Sequence, residues 1–208
     1  MTMPKYPENR SKPLPATPER AAKLAAALNR RQPGLTVVLE NVHDPHNVSA
    51  VLRSCDAVGV LEVCLVYYGS HAFPALGERS SASARKWVDA RKFTSPAECF
   101  AALRGKGKRI LTTALGAEAK SVYDVDLTAP VALVFGNEHA GVSPEAITLA
   151  DGNILIPQVG MIQSLNISVA CAVALYEAYR QRAAAGMYDS PQLQPDAFAR
   201  LYDDWLLR

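Results

Sequence analysis

Three short stretches of this 208-residue chain carry more chemistry than their surroundings require. The first is HDPHNVSAVLRSC, residues 43–55. Asn47 is a residue of the type that caps a helix, and Arg53 stands two turns on among Val51, Leu52 and Ala57. Helical side chains lean toward the N-terminus. Cap amide, helix dipole and guanidinium would then converge on one phosphate-sized spot. The plainer reading of Arg53 is a solvated or ion-paired arginine, and this stretch alone does not separate the two.

The second stretch is VFGNEHAGV, residues 134–142, where Gly136 and Gly141 bracket Asn137, Glu138 and His139. Glycines there permit close backbone approach, although a plain strand-to-helix turn has the same composition. The third is IPQVGMIQSLNISVA, residues 156–170. Apolar Ile156, Val159, Met161, Ile162 and Leu165 alternate there with Gly160, Gln163, Ser164 and Asn166. Either Ser164 or Asn166 alone is sufficiently explained as a helix cap. Together with the apolar loop before them, they suit a flat aromatic ring lying against main chain.

All three stretches need a frame that brings them together. Thr17-Pro18-Glu19 reads as a helix start, and ERAAKLAAALNRR runs to about Arg31 before Pro33-Gly34. LTVVLE, LEVCLVYY, RILTTAL, VALVF and NILIP are short apolar runs that read as buried strands. Between them, helices start at Asn47, at Ser95-Pro96 and at Ser143-Pro144. SLNISVACAVALYEAYRQR is the longest helix and QPDAFARLYDDWLL the last, while GERSSASARKW reads as a mobile loop or a short edge strand. Strands that are apolar throughout and alternate with helices predict an α/β domain with a parallel sheet covered on both faces. In such sheets ligands sit beyond the C-terminal strand ends, where the three stretches fall.

Composition removes several classes. Apolar residues make up 49% of the chain, ample for a core, and the net charge of +2 shows no global basicity. Cys55, Cys64, Cys99 and Cys171 are scattered in apolar segments, which suits buried thiols of a reducing compartment. The first twenty residues lack a signal-peptide core, so a cytoplasmic location is expected. RGKGKR precedes a strand instead of following one, which is the wrong order for a dinucleotide fingerprint. Neither a P-loop nor a Gly-x-Ser-x-Gly elbow occurs. His43 and His46 flank Pro45, which is expected to break any helix aligning them, so no metal site is expected.

Taken jointly, ENVHDPHNVSAVLRSCDAVGV, LVFGNEHAGVS and ILIPQVGMIQSLNISVACAVALYEAYRQR resemble the three ordered motifs of the SPOUT-class RNA ribose 2′-O-methyltransferases, TrmH family. The resemblance runs from about residue 17 to the C-terminus. It implies a SPOUT fold with a C-terminal trefoil knot, a homodimer, S-adenosyl-L-methionine as methyl donor and tRNA as substrate, with guanosine 18 of the D-loop as target. By the same resemblance Arg53, Asn47, Glu138, Ser164 and Asn166 match the catalytic positions. Thr113, Leu115, Gly136, Ile156, Leu165 and Ser164 match cofactor contacts. Arg30, Arg31, His46, Arg180 and Arg182 fall where RNA contacts are expected. Arg53 is then either a base or, with less special pleading, an electrostatic stabiliser of the developing alkoxide.

The implied organisation is a disordered Pro-rich leader at 1–16, a basic N-terminal helix at 17–34, the methyltransferase domain at 35–184 and a helical extension at 185–208. His139-Ala140 and SSASARKW depart from the family's commoner residues. A ribose in ribosomal RNA or at another tRNA position is the rival target. The terminal helices favour tRNA.

Overall fold

The computed structural model describes residues 17–73, 84–116 and 118–208. The expected leader at 1–16 and most of GERSSASARKW lie outside the described residues. Seven strands form one parallel sheet: β1 (Gln32–Glu40), β2 (Val60–Val66), β3 (Asp89–Phe93), β4 (Arg109–Thr112), β5 (Lys120–Ser121), β6 (Val131–Phe135) and β7 (Gly152–Leu155). Their order across the sheet is β3-β2-β1-β6-β4-β7-β5. β1 and β6 sit at its centre, with Val37 beside Leu133 and Leu39 beside Phe135. All five residues of β6 are buried, as a strand covered on both faces requires.

Among the described residues six α-helices complete the frame: α1 (Pro18–Asn29), α2 (Pro45–Ala57), α3 (Pro96–Arg104), α4 (Pro144–Leu149), α5 (Ile167–Ala184) and α6 (Pro195–Leu206). One face of the sheet packs on α2 and α5, through Val48, Val51, Leu52 and Cys55 against Cys171, Ala174 and Leu175. The other face packs on α3 and α4, through Cys99, Phe100, Leu103 and Ala146. Burying each of the Val, Leu and Phe side chains among these stabilises the fold by about 1.5–3 kcal/mol before conformational entropy is counted. The terminal helices make a third, smaller cluster, in which Leu24 and Leu28 of α1 close over Trp205 of α6.

The local starts follow the sequence closely at α3 and α4, where Ser95 and Ser143 cap and proline takes the first turn. Three expectations differ. α1 stops at Asn29 and β1 begins at Gln32, inside the stretch read as an N-terminal helix. β3, sequence DARKF, is a charged strand at the sheet edge, and no apolar run announces it. Charges on an edge strand block pairing with another chain, which accounts for the missing pattern. Lastly, α2 starts at Pro45 and not at Asn47. Asp44 caps it by accepting from the His46 N–H at 2.8 Å. Pro45 therefore opens a helix here instead of breaking one, as suits a first-turn proline.

Candidate active site

Moving the cap to Asp44 changes what Asn47 can do. Its side chain lies in the first turn of α2, and the Nδ2 donates to Glu138 at 2.9 Å. The same carboxylate accepts from the backbone N–H of His43 at 2.9 Å and of Asp44 at 3.2 Å. On its other side, Asn47 Oδ1 accepts from Asn166 Nδ2 at 3.1 Å. Asn166 then caps α5 through its Oδ1, accepting from Ser168 N–H at 2.9 Å. One chain of hydrogen bonds thus joins the loops after β1, β6 and β7. Burial works against the Glu138 charge, but the His43 N–H, the Asn47 amide and the other donors prevail, holding its pKa below the ordinary 4.5.

The expected phosphate spot at the start of α2 is overturned by this arrangement. The Asp44 carboxylate takes the His46 N–H and Glu138 occupies the two N–H groups before it. An anion placed there would face two carboxylates. Arg53, farther along α2, is exposed and forms no hydrogen bond or ion pair with any described residue. Its guanidinium meets solvent on the helix flank.

Beside the network lies a cavity of about 580 Å³, within the size range of cofactor sites. Thr113, Leu115, Gly136, Ile156, Ser164 and Leu165 all line it, as do Glu138 and Asn166. Gly136 cannot be replaced, since a Cβ there would lie 2.1 Å from the Gly141 carbonyl. Apolar walls with main-chain polar groups suit a flat heterocycle carrying a polar tail.

A model of the SpoU rRNA Methylase family matches residues 34–176. The chain belongs to this family. It is 50% identical to a Thermus thermophilus tRNA (guanosine(18)-2′-O)-methyltransferase over 190 residues, covering 91% of this chain and 97% of that one. The crystal structure of the Aquifex aeolicus TrmH/SpoU tRNA modifying enzyme superposes with a TM-score of 0.83 at 41% identity, covering 90% of this chain and 95% of that one. A more distant SpoU methyltransferase, AviRb from Streptomyces viridochromogenes, was solved with AdoMet and superposes with a TM-score of 0.64 at 30% identity. That match covers 75% of this chain and 59% of that one.

The structure of this SpoU methylase separates the five residues expected at RNA. His46 and Arg30 are exposed. Arg180 is exposed too, although its guanidinium donates twice to Glu177 at 2.8 Å. Arg31 and Arg182 are corrections, because their charges face inward. Arg31 is 3% exposed, ion-paired with Asp56, bonded to the Val60 carbonyl at 3.0 Å and stacked over Trp205. Arg182 is fully buried and donates to the carbonyls of Leu127 and Ala129 and to Gln32 Oε1. Basic residues near helix ends look alike in sequence, and burial sorts them.

Several residues that hold the cavity and its network were not singled out from the sequence. Asn153 of β7 grips the loop after β4, accepting from Ala114 N–H at 2.8 Å and donating to its carbonyl at 2.7 Å. That clamp fixes the cavity wall at Thr113. Asn137 donates to the Asn41 carbonyl at 2.7 Å and accepts from the N–H groups of His139 and Ala140. Asn41 itself has a positive φ of 49°, tolerable for asparagine, and turns the chain sharply out of β1. Asn137 had a visible signal, since it adjoins Glu138 in a glycine-bracketed loop. Asn153, the single polar residue that opens the apolar run NILIP, gave none.

Among the described residues no group of three or more His, Cys, Asp and Glu side chains is placed to hold a metal ion. Among them, too, no helix is long and apolar enough to cross a membrane.

Proposed function

We propose that this SpoU methylase is a cytoplasmic tRNA (guanosine(18)-2′-O)-methyltransferase, moving the methyl group of S-adenosyl-L-methionine onto the ribose 2′-hydroxyl. The carrying observation is the hydrogen-bonded chain Glu138–Asn47–Asn166 on the wall of a cofactor-sized cavity. The target nucleotide follows the name of the half-identical Thermus relative.

In this reading the cofactor supplies a methyl already activated by its sulfonium. Thr113, Leu115, Gly136, Ile156, Ser164 and Leu165 hold it against the cavity wall. The ribose hydroxyl is a poor nucleophile until it sheds a proton, which passes to solvent water as the donor would leave as its neutral thioether, so the protein must align the hydroxyl and stabilise the oxygen anion. Arg53 serves as that stabiliser and as a phosphate contact, because a guanidinium holds an anion far more readily than it accepts a proton. Asn47 and Glu138 do not react. They lock the loop before α2, and with it the helix that carries Arg53, against the cavity.

The reading includes the knot implied by the family resemblance, and a homodimer. Val159, Met161 and Ile162 are exposed in the loop before α5, and Val169 and Tyr176 on α5 itself. Large exposed apolar side chains on one loop and the helix that follows it support an association face there. Light scattering is expected to give twice the chain mass. Transfer of labelled methyl to tRNA transcripts, followed by mapping, is expected at G18. Methyl mapped to a different ribose would keep the chemistry and move the target.

A further inference from the structure

A second hollow, of about 210 Å³, lies on the far side of the hairpin that walls the cofactor cavity. Asn137, Ala140 and Gly141 are common to both, and Glu40, Asn41, Tyr68 and His71 form the rest of the wall that matters here. Glu40 is its unusual member. At the end of β1 it is 2% exposed, and it forms no ion pair with a described residue. One carboxylate oxygen accepts from the Tyr68 hydroxyl at 2.6 Å, the other from the Ser143 N–H at 3.0 Å.

A carboxylate offers about four lone-pair sites, so half of its capacity is unused. Keeping a buried anion without a cation is costly unless further donors complete it. The complement is a flat ligand with two adjacent N–H groups, seated in the hollow that Tyr68 and His71 help to line. The hollow also adjoins the reacting network. The His71 ring meets that of His43 edge-on at 5.3 Å, and the His43 N–H is one of the donors to Glu138.

We infer that this hollow reads the guanine base of the target nucleotide, with Glu40 accepting from its N1–H and N2–H groups. Guanine alone among the four bases sets these donors side by side. Adenine places an acceptor beside its amine, and uracil offers one N–H. The inference rests on the methyltransferase reading above and adds the residue that selects the base.

The test compares tRNA transcripts carrying guanosine or inosine at position 18, since inosine lacks only the 2-amino donor. The wild-type protein is expected to favour guanosine by about ten- to hundredfold in kcat/KM, the loss typical of one hydrogen bond to a charged group. Glu40→Gln keeps the shape. Its amide oxygen still accepts from Ser143 and its amine donates to Tyr68, so S-adenosyl-L-methionine affinity by calorimetry stays near wild type. The variant's preference for guanosine is expected to fall to within about threefold. Equal wild-type rates on the two transcripts overturn the inference without any variant, as does a preference that survives intact in Glu40→Gln. Absence of transfer to the guanosine transcript sinks the methyltransferase reading itself, a distinguishable failure.

Discussion

The two ends of the sheet use arginine in opposite ways. At the N-terminal strand ends, Arg182 spends its guanidinium on Leu127, Ala129 and Gln32, and Arg31 lies between Asp56, Val60 and Trp205. At the C-terminal ends the amides of Asn47 and Asn166 and the Glu138 carboxylate are committed to one another, and Arg53, farther along the helix that starts there, has no such partner among the described residues. A filled guanidinium builds the fold, and an open one is the kind that the proposed function assigns to an anion. The type of residue is identical. What differs is whether the backbone has already claimed the donors.

The strongest way to break this contrast is Arg53→Ala. Methyl transfer is expected to fall roughly 10²–10³-fold, while the unfolding free energy from urea denaturation stays within about 0.5 kcal/mol of wild type, as for exposed positions. Near-normal turnover would remove the role proposed for Arg53. Arg182→Ala should do the reverse. It strands two carbonyls and an amide oxygen, so urea unfolding should show a loss on the order of 3 kcal/mol. Fluorescence titration of protein that stays folded should give unchanged tRNA affinity.

The N-terminal end also holds Lys108, 6% exposed and hydrogen-bonded to Thr36. Desolvation pushes its pKa from 10.5 down to about 8. Below pH 8 the lysine is charged in both states and the folded state bears the penalty. From there to about pH 10 the unfolded chain binds the extra proton, so stability rises with pH. Above pH 10 the rise reverses, because burial raises Tyr68 and Tyr188 to about 12 and the unfolded chain gives up those protons first. In Lys108→Met the rise between pH 8 and 10 should vanish, and the midpoint at pH 7 should increase by about 1 kcal/mol, the Thr36 bond offsetting part of the gain. Urea midpoints along the pH series measure both.

The smallest effects belong to the rim. Arg30→Ala and Arg180→Ala are each expected to weaken tRNA binding a few-fold and to lower the salt slope by about one. A slope unchanged in both would move the RNA surface elsewhere.

Much of this is legible in the residues alone. Ser95-Pro96 and Ser143-Pro144 mark helix starts because cap and proline act locally, and VALVF reads as buried because a covered strand is apolar throughout. The cavity wall could be sensed in the apolar loop at 156–165. Asn47 was harder. Asp44 and Asn47 are both good caps, and only Glu138, ninety-one residues away, decides between them. Arg182 was misleading for the same reason, since its acceptors lie more than fifty residues back. DARKF escaped because an edge strand protects itself with charge. Long-range partners, not local propensity, settle each of these.

The central place of β6 also governs how the chain must be born. β1 and β2 are complete once Val66 is synthesised, but the second neighbour of β1 is not finished until Phe135. At roughly 5–20 residues per second the ribosome needs several seconds more to supply it. Throughout that interval β1 presents an open, apolar strand edge, the kind of surface that pairs with another chain. Its protection at that stage is time-dependent, a matter of how quickly the missing strand arrives.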